Sequence, residues 1–292
     1  MSKKVLITGA TGDTGRAAVR ESIALGLNVR AMVHRKDARS AALEALGAEV
    51  VTGDLLEIDT IRDAMKDVDA AYLVWPVQPG LINATVNFAQ AAKETGVKTV
   101  INLSQRSANR ESTSDSCRDT FIAEEILNWS GLPVIHLRPT YFLEWLLYPW
   151  QLPYLQQGVL RLPVGSGRHS PIAADDQGRA IASLLKNPHG HIGKTIPLSG
   201  PAEMDHTQMA AELSEALGRE IVFQDLPIDE YCSSIEAMGV PPYVVQHLRG
   251  AMADYQVGRM SGADNNVETL TGRRAMTVGE FARLHIDRLN GN

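Results

Sequence analysis

The sequence predicts an α/β fold: a Rossmann-type, doubly wound parallel sheet with a smaller, mainly helical C-terminal substrate domain. Three observations point there. Short apolar runs alternate with segments of helical period through the first half of the chain, the pattern of βαβ units whose parallel sheet is covered on both faces. A glycine-rich turn joins the first apolar run to the first helical segment. After Arg138-Pro139 the alternation stops and helical periods dominate.

Val5-Leu6-Ile7-Thr8 reads as a buried strand and Gly15 to Leu25 as a helix closed by Gly26. Strands follow at Asn28 to Val33, Ala48 to Thr52, Ala70 to Val74, Thr99 to Ser104 and Leu132 to Leu137. Between them lie helices over Ala38 to Leu46, around Thr60 to Met65, over Leu81 to Glu94 and over Ser116 to Trp129. Tyr141 to Gln157 is aromatic and apolar, but Pro149 and Pro153 break any single helix there. Helices are expected at Asp175 to Leu185, His206 to Leu217, Pro227 to Met238, Pro241 to Asp254 and Val278 to Leu289, with a short strand at Ile221-Val-Phe. The expected division is a dinucleotide-binding domain over 1–155 and a substrate-binding part over 156–292, some of whose segments return to the sheet. The ligand crevice of such a fold lies beyond the carboxyl ends of the strands.

Composition narrows the function classes. Of 292 residues, 44% are apolar and 21% charged, ordinary globular usage. The net charge of −6 argues against a broadly basic nucleic-acid or membrane-surface protein. The most apolar region, Tyr141 to Val164, is interrupted by Glu144, Arg161 and three prolines and is no membrane span. Two cysteines, Cys117 and Cys232, make no disulfide framework. With no secretory signal visible at Met1-Ser-Lys-Lys-Val, a reduced, cytoplasmic setting is expected.

The loop Thr8-Gly9-Ala10-Thr11-Gly12-Asp13-Thr14-Gly15 has the spacing G-x-x-G-x-x-G on strand–turn–helix. Gly9 permits the tight turn, Gly12 lets backbone approach a pyrophosphate, and Gly15 allows close packing of helix on strand. The unpaired N–H groups and positive dipole end of that helix favour an anion. Asp13 is unusual beside a pyrophosphate, and capping of the helix from the far side is one role for it. The second strand ends in Val33-His34-Arg35-Lys36, with no acid before Asp37. An NAD site usually has Asp or Glu there for the ribose 2′-hydroxyl, whereas Arg35 suits a 2′-phosphate. The cofactor expected is therefore NADP(H). Asp54, in Gly53-Asp54-Leu55, either accepts from the adenine amino group or caps the next helix. Val74-Trp75-Pro76 ends the fourth strand, where the chain passes over the cofactor. With His34, Ser104 and Pro139 at neighbouring strand ends, these residues make up the expected cofactor crevice.

These motifs resemble the extended and atypical short-chain dehydrogenases, specifically the NmrA-like group. The resemblance continues through Ser130-Gly-Leu-Pro, Leu137-Arg-Pro-Thr-Tyr-Phe-Leu-Glu144 and the closing segment Val267-Glu-Thr-Leu-Thr-Gly-Arg273 to Phe281. It implies a Rossmann domain with a smaller helical substrate domain and NADP(H) binding. It also implies relatives that are NADPH-dependent quinone and dye reductases, or redox sensors. Active short-chain dehydrogenases carry Tyr-x-x-x-Lys on the helix after the fifth strand, the Tyr as proton donor. Here that helix reads Ser116-Cys-Arg-Asp-Thr-Phe-Ile-Ala-Glu-Glu-Ile-Leu, without Tyr or Lys.

Replacement groups are few. Ser104 after the fifth strand and Tyr141 after the sixth are the catalytic candidates; Tyr141 reads equally well as an interface aromatic. His136 lies mid-strand and reads as structural. His169, in Gly165-Ser-Gly-Arg-His-Ser, lies in a mobile-looking loop and could line the pocket. Cys117 reads as a packed thiol. No metal-ligating motif or nucleophile elbow is present, and His189-Gly-His191 reads as a turn. His206 to Leu217 resembles the first helix of a helix-turn-helix, but a strand-like run follows it, so nucleic acid is not expected as a partner. The aromatics Tyr141, Phe142, Trp145, Tyr148, Trp150 and Tyr154 supply a wall for a flat substrate, a core or a homodimer contact. The expected function is NADPH-dependent reduction of a small conjugated or aromatic, quinone-like acceptor. A non-catalytic sensor of the NADP(H) redox state is the alternative, and a lyase or isomerase without net redox a third.

Overall fold

A computed structural model describes residues 2–292. Seven parallel strands form one sheet: β1 (Lys4–Ile7), β2 (Asn28–Val33), β3 (Glu49–Thr52), β4 (Ala70–Leu73), β5 (Thr99–Leu103), β6 (Val134–Pro139) and β8 (Thr195–Leu198). Their spatial order is β3-β2-β1-β4-β5-β6-β8, so chain direction across the sheet reverses between β1 and β4. Val5 pairs with Val29 on one side and Ala70 on the other. Alternation along each strand divides the core. Val5, Ile7, Val29, Ala31, Tyr72 and Ile101 face α1 (Asp13–Ala24) and α7 (Ala174–Lys186). Leu6, Met32, Leu73 and Val100 face α3 (Ile58–Met65) and α4 (Leu81–Thr95). Both faces are dry, which is why these strands read as continuous apolar runs. The remaining Rossmann helices are α2 (Ala38–Ala45) and α5 (Asp115–Trp129).

The expected elements of the first half form within a few residues of their predicted ends, and several later ones differ. Strand β8 was not expected: it is four residues long and contains Pro197. It sits at the sheet edge beside β6, where a residue without an N–H is tolerated. The aromatic stretch forms a short 3-10 helix (Leu143–Leu147) and α6 (Leu152–Gln156), with Pro153 in the first turn of α6. Two three-residue strands, β7 (Val159–Arg161) and β9 (Val222–Gln224), pair in parallel as a second sheet. Around it pack α8 (His206–Leu217), α9 (Ile228–Ala237), α10 (Pro242–Gln256) and α12 (Val278–Leu284), over a third core with Leu146, Leu155, Met209, Met252 and Phe281. α11 (Asn266–Thr271) was also unexpected, and lies against α7. The single helix expected to Leu289 instead breaks at His285, whose N–H is shared between the Phe281 and Ala282 carbonyls; α13 (Ile286–Asn290) follows. No helix among the described residues is long and apolar enough to cross a membrane.

Candidate functional site

The glycine loop is built by close approach. Gly9 has φ +55°, and a Cβ on it would lie 2.5 Å from Val74 Cγ1. A Cβ on Gly15 would lie 2.2 Å from the Gly9 carbonyl oxygen, so α1 reaches the loop only without a side chain there. Gly12 differs: its φ of −78° suits any residue, and its nearest neighbour would be the Gly9 oxygen at 3.3 Å. The fold itself therefore demands glycine far less at position 12 than at 9 or 15, and what the glycine leaves open is the approach to the helix start. Gly12 is the N-cap of α1 and supplies no capping side chain. The first-turn N–H groups and the positive end of the helix dipole make that start a place for a phosphate.

Side chains around the loop are occupied within the fold. Thr8 Oγ1 donates to the Tyr72 carbonyl at 3.0 Å and accepts from Val74 N–H at 3.1 Å, bridging β1 to β4 where the strand order reverses. Tyr72 OH lies 3.1 Å from Thr14 Oγ1, turning Thr14 inward; Thr14 thus has only its backbone to offer a ligand. Thr11 stays partly exposed between the glycines. Asp13 does not cap α1. Its carboxylate accepts from Tyr148 OH at 3.1 Å and lies 3.8 Å from Arg16.

At the end of β2, His34 and Arg35 are exposed, and Arg35 makes no ion pair among the described residues. Asp37, the first acid beyond them, N-caps α2 in a capping box with Ser40 and also binds Arg39. Asp54 is not a helix cap: α3 begins at Ile58 with Glu57 as N-cap. The Asp54 carboxylate closes a turn on Leu56 N–H at 2.9 Å and lies 3.7 Å from His34 Nδ1, and Leu55 is buried below it. Past β4, Trp75 donates to the Gln78 carbonyl at 3.1 Å and covers Gly80, while Pro76 is exposed.

The ends of β5 and β6 lie side by side. Ser104 N–H donates to Leu137 O and Arg106 N–H to Pro139 O. The Ser104 hydroxyl is buried without a partner among the described residues. Next to this pair, α5 presents Cys117, 3.2 Å from Ser107 Oγ, and Thr120, 2.8 Å from Gln105 Nε2. Burial pushes the thiols of Cys117 and Cys232 up, the direction of a packed thiol rather than a reactive thiolate. His136 is held between Asn102, 3.0 Å from Nδ1, and Asn128, 3.0 Å from Nε2, and burial pushes it down: a satisfied neutral imidazole.

The expected aromatic wall separates. Tyr141 is buried, edge-on to Trp145 at 4.9 Å; Tyr148 turns to Asp13 and to Trp150; Tyr154 lies under Arg161. His169 is not in an open loop. It is fully buried, and its backbone exchanges two hydrogen bonds with Met204.

Sequence reading passed over Glu144 as a site residue. It sits in a cleft of about 420 Å³ between α1, α7 and α12, lined also by Asp13, Tyr148, His285 and Arg288. Both its oxygens face Ala174 N–H, at 2.9 and 3.0 Å, capping α7 from outside. Burial pushes its carboxyl up to about 8, with Asp13 and Asp175 adding to the shift. The available signal was a lone acid inside the apolar run Leu143-Glu-Trp-Leu-Leu. Among the described residues no group of three or more His, Cys, Asp or Glu could hold a metal ion.

The profile of the NmrA-like family matches residues 1–279. The chain is 28% identical to the NAD(P)H azoreductase of Xenophilus azovorans, over 96% of this chain and 97% of that protein. It superposes with TM-score 0.83 on the NADPH-dependent quinone oxidoreductase of Escherichia coli complexed with NADPH, at 25% identity over 95% of this chain and 98% of that one. The negative transcriptional regulator NmrA in complex with NAD has the same fold, with TM-score 0.82 at 19% identity over 97% of this chain and 94% of that one.

Proposed function

The chain belongs to the NmrA-like family, and from that premise we propose that it is an NADPH-dependent reductase of a small conjugated or aromatic acceptor, quinone-like in chemistry. The observation that carries the reading is the pairing of two cofactor features. Gly12 presents no side chain at the start of α1, and Arg35 makes no ion pair among the described residues, the acid two residues on, Asp37, being spent on capping. That combination suits a pyrophosphate and a 2′-phosphate together. The azoreductase and quinone oxidoreductase relatives support a conjugated acceptor.

In this reading residues 1–155 hold the dinucleotide and residues from the second half cover the acceptor. Gly9, Thr11, Gly12, Asp13, Thr14 and Gly15 meet the pyrophosphate through backbone; His34 and Arg35 meet the ribose phosphate. Asp54 and Leu55 flank the adenine, and Val74, Trp75, Pro76 and Pro139 edge the crevice. Ser104 supplies its hydroxyl, which has no partner among the described residues, at the reacting end, and Tyr141 is the second candidate there. Bound NADPH supplies a hydride. The protein's own part is to orient, to exclude water and to hydrogen-bond the acceptor. Because α5 carries neither Tyr nor Lys, no tuned acid stands beside a developing alkoxide. A quinone tolerates this, since its reduced anion is delocalised and takes its proton from water. The same feature favours the second reading, a sensor that binds NADP(H) without turnover.

A panel of acceptors at fixed NADPH tests the choice. NADPH oxidation should be measurable with quinone-like acceptors and poor with simple ketones. Brisk turnover of an unactivated ketone or alcohol would mean an acid–base group lies elsewhere. Tight NADPH binding without turnover of any acceptor would replace the enzyme with the sensor.

A further inference from the structure

Asp13 puts a carboxylate where a phosphate is wanted. It is the first residue of α1, directly after the N-cap Gly12. The positive end of a helix draws any anion near it, so a first-turn carboxylate and a ligand phosphate compete for the same N–H groups. Yet Asp13 does not turn to those groups. Its Oδ2 accepts from Tyr148 OH at 3.1 Å, and its Oδ1 lies 3.8 Å from Arg16 one turn along. The Arg16 contact is long and its side chain 64% exposed, so it holds little. Tyr148 is the firm partner.

Tyr148 is itself held in place. Its ring packs edge-on to Trp150 at 4.9 Å. It follows the 3-10 helix whose Leu143, Leu146 and Leu147 belong to the third core. That helix is tied on two sides: Glu144 accepts from Ala174 N–H at the start of α7, and Arg288 of α13 donates to the Leu147 carbonyl at 2.8 Å. Burial, reinforced by the Asp13 carboxylate, pushes the Tyr148 hydroxyl up, so it stays a phenol and a donor. Asp13 and Tyr148 both line the cleft of about 420 Å³ between α1, α7 and α12, a cleft lined by none of residues 8–12. The carboxylate is thus drawn to a different side of the α1 start from the glycine loop.

We propose that Tyr148 is a positioning residue for the dinucleotide: its hydroxyl keeps the Asp13 carboxylate in the cleft and off the helix start that the pyrophosphate takes. The proposal rests on the cofactor reading above and adds opposite roles for two side chains in contact. Asp13 opposes the cofactor, and Tyr148 restrains Asp13. Without the phenol, only the long Arg16 contact keeps the carboxylate from the α1 N–H groups.

Calorimetric titration with NADP+ tests this on three variants. Asp13→Asn removes the charge and keeps an acceptor for Tyr148; it should bind NADP+ about tenfold tighter than the unmodified protein. Tyr148→Phe keeps the ring on Trp150 and should bind about tenfold weaker. The double variant should match Asp13→Asn within about twofold, because no charge is left to restrain. The opposite signs are the signature, since a contact that only supports the fold is lost in the same direction from either side. Unchanged affinity in either single variant, weakening in both, or a Tyr148→Phe loss that persists beside Asp13→Asn would overturn the proposal. If Tyr148→Phe does not fold, Asp13→Asn decides alone, and no gain in affinity overturns it. Failure of the cofactor reading has a different signature, NADP+ affinity untouched by Gly12→Val, and it takes the proposal with it. Failure of the proposal alone leaves the Gly12→Val loss in place.

Discussion

The glycine loop and the junction beyond β6 make a site in opposite ways. Around the loop, Thr8, Thr14, Asp13, Asp54 and Trp75 are all engaged by other parts of the protein. What remains for a ligand is backbone: a helix start with unpaired N–H groups and a gap where Gly12 has no side chain. At the junction the backbone is paired, Ser104 to Leu137 and Arg106 to Pro139, and it is a side-chain atom, the Ser104 hydroxyl, that lacks a partner among the described residues. A backbone site recognises what every dinucleotide shares. A side-chain site can be re-specified by single substitutions, and the proposed reductase reading puts acceptor choice there. The comparison breaks if substitutions at the two places have interchangeable effects.

The largest effect is expected at Gly12. Gly12→Val should abolish NADPH binding, by about a hundredfold or more, because the added side chain fills the phosphate approach. Thermal unfolding of the ligand-free protein should move far less, since the position has an ordinary φ and the added Cβ would meet only the Gly9 oxygen, at 3.3 Å. Normal NADPH affinity in this variant would put the pyrophosphate elsewhere.

Next in size is Arg35. A charge-assisted pair with the 2′-phosphate is worth roughly 1.5–3 kcal/mol, about ten- to a hundredfold in affinity. Calorimetry should show NADPH binding tighter than NADH, and Arg35→Ala should shrink that gap mainly by weakening NADPH. Equal affinities in the unmodified protein would remove the NADP(H) preference.

Tyr141 should matter less. Tyr141→Phe should lower kcat with quinone acceptors severalfold at most and leave NADPH affinity alone, since the ring's packing on Trp145 is kept. Cys117→Ser serves as the control, with turnover unchanged. A Tyr141→Phe effect confined to NADPH binding would blur the division between the two regions.

The last effect is on stability rather than binding and concerns Glu144, in the cleft between α1, α7 and α12. Its carboxyl is raised to about 8 against an ordinary 4.5. The folded protein thus holds this proton where the unfolded chain has released it. The associated stability is fully present below about 4.5 and is lost as pH rises toward 8. Glu144→Gln cannot ionise, so its melting temperature should fall less than that of the unmodified protein between pH 5 and pH 8.5 (about the span of that shift). Parallel pH profiles would show that the carboxyl is already matched by the Ala174 N–H.

Much of the first half was legible because its determinants are local. Local periodicity located β2 to the residue, as it did α8 in the second half, and glycine spacing located the loop, since a positive φ at Gly9 and close approach at Gly15 are written in residue type alone. The exposed position of Arg35 just past β2 was legible for the same reason: it follows a strand of recognisable period. The role of Asp54 was open between two local chemistries, and the turn to Leu56 is a third that only coordinates reveal. β8, α11 and the breaking of the aromatic wall depend on partners far along the chain. A four-residue strand with Pro197 is a strand only because β6 lies beside it, and Tyr148, packed on Trp150, turns toward α1, where Asp13, 135 residues earlier, accepts its hydroxyl. The same holds for the Ser104 hydroxyl. Nothing in the sequence around Ser104 marks it as unpaired, since a missing hydrogen bond exists only once burial has removed the water that would have supplied it.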